Sequence, residues 1–182
     1  MSELDRFDKF KTEGYIPFGK DKLSSETSLI DTESLGGGNT VPAFNRFITM
    51  NWYEDCEWGW KVIMNEKSGK PVGFSTRLTT NEYHSIQSDN RTHVGGPVRA
   101  AVTDFTAGTN VMFFKQYFCP MTSMNITYDK PIKVGQTLIT SNLNVEVDGS
   151  KIIQTGEQYI QETKELIGTY QTIHHDPRYG KV

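Results

Sequence analysis

Hydrophobic and polar positions alternate through most of this chain with periods that identify its elements. From His93 to Gln116 the period is helical. Val98, Ala101, Val102, Phe105, Thr109 and Met112 fall on one side of a wheel, and Arg99, Thr103, Thr106 and Asn110 on another. The spacing predicts a buried or half-buried helix opening at Gly95-Gly96-Pro97, with the proline where a missing N–H costs nothing. On either side the period is two. Trp58, Trp60, Val62 and Met64 alternate with polar or small residues as in a half-buried strand, Asn65 to Gly69 makes a turn, and Val72 to Leu78 returns. Four more strands are expected over Met121–Tyr128, Thr137–Val147, Lys151–Glu162 and Leu166–His174, with Asp148-Gly149 as a hairpin signal between two of them. Two strands, a long helix and four strands describe an α+β domain: an antiparallel sheet of about six strands with a helix on one face.

One residue departs from the helical pattern. Asp104 lies inside the broad apolar arc, and its neighbours one turn away are Ala100, Ala101, Ala107 and Gly108. A carboxylate in non-polar surroundings is costly without a partner, and burial raises its pKa. A structural aspartate bonded to a nearby backbone amide is the plain explanation. The ring of small side chains favours a site, because it leaves open space above the carboxylate.

At 182 residues the chain is long enough for one domain with a proper core. Residues 1–56 lack periodicity and form an irregular arm, expected to wrap the domain or a partner subunit; 57–176 form the domain and 177–182 a tail. A net charge of −3 without a Lys/Arg block argues against nucleic acid as the main partner. No apolar run approaches the ~20 residues that span a bilayer, and the acidic start MSELDRFDKF fits neither a signal nor a transit peptide. Cys56 and Cys119 are too few for a disulfide framework. A cytoplasmic protein is expected, with the mitochondrial matrix as the alternative. Leu35-Gly36-Gly37-Gly38-Asn39 lacks the Lys-Ser/Thr of a phosphate loop and is taken as a flexible loop. His174 and His175, adjacent on a strand, would point to opposite faces and lack a further ligand at useful spacing, so both are expected at the surface and no metal is expected. Cys119 beside Pro120 is expected to be a small buried hydrophobe.

A helix after a Gly-Gly turn, then Met124-Asn125-Ile126-Thr127-Tyr128 with Pro131, then a hairpin, resembles the hotdog-fold acyl-CoA thioesterases, in particular the PaaI-like and mitochondrial thioesterase-superfamily members. Asp104-Phe105-Thr106-Ala107-Gly108 matches a recurrent D-x-T-x-G of that family, and the resemblance covers about residues 57 to 174. It implies a hotdog fold, the sheet wrapping one central helix. It also implies hydrolysis of an acyl thioester of coenzyme A or of acyl-carrier protein. Asp104 would be general base or nucleophile, and the Gly95-Gly96 helix N-terminus would hold the thioester carbonyl. No cofactor is implied beyond the coenzyme A of the substrate. Family sites form between paired subunits, so a homodimer or dimer of dimers is expected, with Met121, Thr122 and Ser123 contributing to substrate binding.

The sequence departs from the family pattern at three places. His93-Val94-Gly95-Gly96 carries one residue more than His-Gly-Gly, so a gapless alignment of the glycines would put Thr103 at the acid position. Pro97 removes a donor from the turn. Met121 stands where the strand often bears Ser or Thr; Thr122 should face away from it, and Ser123 should share its face. These departures favour a second reading, a catalytically inactive hotdog subunit that binds or scaffolds, with Trp52 and Tyr53 of the arm as interface aromatics. Dehydration of a β-hydroxyacyl thioester, which wants a His with the acid, ranks third. His93 is a candidate to orient Asp104 or bond the carbonyl, and equally a loop histidine capping a turn.

Overall fold

A computed structural model describes residues 16–17, 58–64, 67–68, 71–85, 92–115 and 117–180. The strands are β1 (Ile16–Pro17), β2 (Trp58–Met64), β3 (Pro71–Thr79), β4 (Met121–Tyr128), β5 (Thr137–Asp148), β6 (Lys151–Ile160) and β7 (Glu165–His175). One helix, α1 (Gly96–Lys115), lies between β3 and β4, preceded by a 3₁₀ turn over Glu82–His84. The sheet order is β1-β2-β3-β5-β6-β7-β4 and every pairing is antiparallel. All six strands anticipated from the period-two pattern are present, and Ile16–Pro17 of the arm adds a short edge against Gly59 and Trp60. The Cys56, Trp52 and Tyr53 positions and the Leu35–Asn39 loop lie outside the described residues.

The β5–β6 hairpin turns one residue later than expected. Asp148 pairs with Lys151, so Gly149-Ser150 form the loop. Only Gly149 of the two has a positive φ, 57°, the pattern of a type II′ turn led by glycine.

The helix sits against the sheet with its polar side inward, which corrects the simple amphipathic picture. Thr103, Thr106 and Asn110 are fully buried and Arg99 is 3% exposed. Their partners are polar residues on the inner face of the central strands. Thr106 meets the Thr76 hydroxyl at 2.7 Å, Gln158 donates to the Thr103 hydroxyl at 2.9 Å, and Asn110 donates to Gln154. Gln154 also donates to the Ala107 carbonyl, and Asn142 to that of Thr106. A buried polar group must find a partner, and here helix and sheet supply each other. The apolar core fills the flanks, with Trp58, Leu78, Val102, Phe105, Ile132, Leu138 and Ile167 in one cluster and Val111, Cys119 and Ile152 in a second. Trp58 meets Phe105 edge-on, ring centres 5.3 Å apart.

Gly156 allows this packing. A methyl there would overlap both the Tyr170 ring and the Ser141 carbonyl oxygen. Tyr170 is held by its hydroxyl, which donates to Asn142 at 2.7 Å, so it has no room to withdraw. Gly156→Ala is expected to cost about 2–3 kcal/mol, seen as a lower urea midpoint with unchanged slope.

Candidate active site

The approach to α1 is tied down by backbone bonds. Val94 pairs with Ser85 and His93 with Lys133 as isolated bridges, Val94 N–H donates to Ile132, and Val134 N–H to Thr92. A capping box closes the 3₁₀ turn, the Asn81 side chain accepting from the turn and His84 Nδ1 accepting from Asn81 N–H at 2.9 Å. His84 is buried, and its carbonyl accepts the Gly95 N–H at 2.9 Å. Gly95 is therefore occupied within the turn. Pro97 has no N–H to offer. The donor left at the helix N-terminus is the Gly96 N–H, which has no partner among the described residues. The Tyr128 hydroxyl donates to the Gly96 carbonyl at 2.9 Å and fixes this residue from the other side.

Asp104 lies half-buried on the helix face turned away from the polar network, along with Ala100, Ala101 and Gly108. A methyl built on Gly108, one turn from Asp104, would meet nothing within 4 Å among the described residues. Burial raises the Asp104 pKa, and the opposing influence is His174.

His174 is where the structure corrects the sequence most sharply. It was expected at the surface and is 1% exposed, on the inner face of β7, while His175 beside it is exposed. Strand alternation already required one of the two imidazoles to face inward; that was the available signal. The His174 Nδ1 lies 3.1 Å from the Cys119 carbonyl oxygen, and Nε2 is buried with no hydrogen-bond partner. Burial lowers the His174 pKa, opposed by the bond to Cys119 and by the Asp104 carboxylate. Cys119 is buried and its thiol is pushed up to about 11, chiefly by desolvation. The segment after β7 is not a loose tail at its start. Asp176 accepts from Lys115 at 3.0 Å and from the Tyr117 hydroxyl at 2.9 Å, and Arg178 stacks over the Tyr117 ring.

His93 is half-buried with Nδ1 3.1 Å from the Thr92 hydroxyl. At the start of β4 a bulge between Met121 and Ser123 breaks the alternation. Met121 pairs with His174 and so shares its inner face, whereas Ser123 pairs with Ile173 and faces out. Met121 and Ser123 were expected on one face; Met124, paired with Thr172, takes that place instead. Thr122 is exposed, its hydroxyl donating to the Ile173 carbonyl at 3.1 Å. Among the described residues no three His, Cys, Asp or Glu side chains are assembled to hold a metal, and no helix is long and apolar enough to cross a membrane.

No protein-family model matches this chain, and no curated protein matches it in sequence. Solved structures do match it in shape. Thioesterase superfamily member 2 from zebrafish is 16% identical, with 74% of this chain and 93% of that one aligned at a TM-score of 0.57. A hypothetical thioesterase from Streptococcus pneumoniae, solved with coenzyme A, is 12% identical over 74% and 95% of the two chains, TM-score 0.58. The Escherichia coli PaaI protein from the phenylacetic acid degradation operon is 12% identical over 74% and 91%, TM-score 0.55. The antiparallel sheet wrapped on one helix is thus the hotdog fold found in thioesterase-superfamily proteins.

Proposed function

We propose that the chain hydrolyses an acyl thioester, of coenzyme A or of acyl-carrier protein, with Asp104 as the activating carboxylate and the Gly96 N–H as the oxyanion donor. The observation that carries this reading is a half-buried carboxylate among Ala and Gly, on a helix whose Gly96 N–H has no partner among the described residues. Acyl transfer to water needs both parts. Asp104 takes a proton from water as its oxygen attacks the thioester carbon. The tetrahedral oxyanion forms against the Gly96 N–H and the positive end of the helix dipole. Collapse then breaks the C–S bond, and the thiolate leaves. Direct attack by the carboxylate, followed by hydrolysis of the anhydride, is the nucleophilic variant of the same site.

The two parts belong to different copies of the chain. Gly96 and Asp104 lie two turns apart on one helix, about 12 Å along its axis at 1.5 Å per residue, further than one carbonyl group can join. A two-fold pair brings the Asp104 of one protomer to the Gly96 of its partner. Strand β4 supports such pairing. Among the described residues it is bonded on one side only, to β7, and it exposes Met124 and Tyr128, leaving a ladder edge for a second copy. Met121, on the inner face at the start of this strand, is the substrate contact it would supply.

The direct assay is release of free thiol from short, long and aromatic acyl-CoAs. Mixed dimers locate the site. Gly96→Pro and Asp104→Asn chains, each inactive alone, should regain activity when co-refolded, because a heterodimer rebuilds one complete site. Complementation that never appears, from chains shown to pair, would refute the shared site. The loss of Gly95 and Pro97 as donors favours the second reading, a binding subunit without chemistry. A well-folded dimer inert on every thioester would establish it.

A further inference from the structure

We propose that His84 is a positioning residue of the oxyanion site: its imidazole closes the turn that sets its own carbonyl on the Gly95 N–H, so that Gly96 is the donor presented to the thioester. This deepens the hydrolysis proposed above and rests on the Gly96 N–H receiving the oxyanion.

Two glycines in succession are the loosest way to begin a helix, since neither has a Cβ to limit its backbone. A donor in such a turn stabilises a transition state only if its direction is fixed beforehand. The Gly96 N–H shares a rigid peptide plane with the Gly95 carbonyl, and the two point in opposite senses across it. Holding Gly95 therefore aims Gly96. The helix holds Gly95 from one side, its carbonyl accepting from Val98 N–H at 3.1 Å and Arg99 N–H at 3.4 Å. His84 holds it from the other, its carbonyl accepting the Gly95 N–H at 2.9 Å. Gly95 is buried and Gly96 half-buried, so the clamped amide is the inner one.

The His84 carbonyl is placed in turn by the His84 side chain. Glu82–His84 is a single 3₁₀ turn, an element of poor hydrogen-bond geometry that depends on its ends. Its entry is tied to the loop before β5: Thr80 exchanges backbone bonds with Gly135 and Gln136, and its hydroxyl donates to the Gln136 carbonyl at 2.8 Å. The same loop holds the approach to α1, through the Ile132 carbonyl and Val94 N–H. His84 joins the two. Its Nδ1 accepts the Asn81 N–H at 2.9 Å, and its own N–H donates to the Asn81 carbonyl at 3.1 Å. A capping box usually carries Glu or Gln at this position. The imidazole is stiffer than either, and at 1% exposure it is locked by burial. One residue thus grips the start of the turn with its ring and the start of the helix with its carbonyl.

The test uses the full-length protein and reads amide exchange and turnover separately. In wild type the Gly95 amide proton is expected to exchange with solvent on the order of a hundredfold more slowly than that of Gly96. His84→Ala is expected to remove most of that difference. It should also lower kcat for acyl-CoA hydrolysis about tenfold with KM within about twofold, because the donor acts in the transition state. His84→Gln, which offers Asn81 the acceptor of an ordinary capping box, should recover both. Equal exchange of the two amides in wild type would overturn the proposal, a readout available even where His84→Ala does not fold. So would a His84→Ala enzyme changed in KM alone, or a His84→Gln enzyme as slow as His84→Ala. The two readings fail separately. A wild-type protein inert on every thioester refutes the hydrolysis itself, whereas turnover indifferent to His84→Ala refutes only the role of His84.

Discussion

Asp104→Asn is expected to reduce kcat for thioester hydrolysis by about 10³-fold while making the protein more stable near neutral pH, not less. The first half follows from removing the carboxylate proposed to take a proton from water. The second follows from linkage. Burial raises the Asp104 pKa in the folded state, so ionisation there is harder than in the unfolded chain. The stability contributed by the protonated folded carboxyl is full below the unfolded pKa and is lost as pH rises through the folded one. At neutral pH wild type carries the ionised, partly desolvated group and asparagine does not. Activity should run the other way, rising with pH through the raised Asp104 pKa as the carboxylate forms. Thermal melts across pH, set beside the pH–rate profile, read both. A mutant both dead and less stable than wild type would mean that Asp104 is structural, the plain reading of a helical aspartate.

The elements were legible and the inward faces were not. Period-two alternation located every strand of the six to within two residues, because each buries one face. The helix was located equally well, and its wheel separated Arg99, Thr103, Thr106 and Asn110 correctly from the apolar side. The wheel cannot say that the polar side points inward, since that depends on Thr76, Asn142, Gln154 and Gln158 in strands distant along the chain. The same limit hid His174. Its hydrogen-bond partner, the Cys119 carbonyl, comes from a segment that only tertiary packing brings against β7. The bulge at Thr122 has no marker of its own in the sequence, yet it reverses the faces of Ser123 and Met124. Gly95 and Gly96 were legible as a turn; which of their N–H groups stays free was decided by the carbonyl of His84 across the loop.

The largest stability loss is expected from Arg99→Met. Arg99 stands in the first turn of α1, where a cation opposes the helix dipole, and it is buried without a carboxylate bonded to it. What holds it is a fork of three acceptors. Nε donates to Gln158 Oε1 at 2.9 Å, one Nη to the Lys130 carbonyl at 2.9 Å and the other to the Ile167 carbonyl at 2.8 Å. The guanidinium also lies 4.4 Å from the centre of the Tyr128 ring. Gly168 makes the space, since a methyl there would come within 2.8 Å of the guanidinium nitrogen. Methionine fills much of the volume and satisfies none of the acceptors; the Ile167 carbonyl keeps the N–H groups of Asp129 and Lys130, whereas Gln158 Oε1 and the Lys130 carbonyl lose their donor. With each buried acceptor left unpaired costing about 1–3 kcal/mol, the expected loss is about 4 kcal/mol, or a melting point lower by on the order of 10 °C. Arg99→Lys should fall between, because an ammonium is a point donor and cannot reach three acceptors held in a planar fork. The effect should extend to the site. Tyr128 stacks on Arg99 and bonds the Gly96 carbonyl, so the residue that anchors the helix also steadies Gly96 at its end. Tyr128→Phe separates the two contributions: it keeps the ring over the guanidinium, and it should lower kcat with little change in the urea midpoint. An Arg99→Met protein within about 1 kcal/mol of wild type would show that water re-pairs the acceptors left without a donor, and that the guanidinium does not hold helix to sheet.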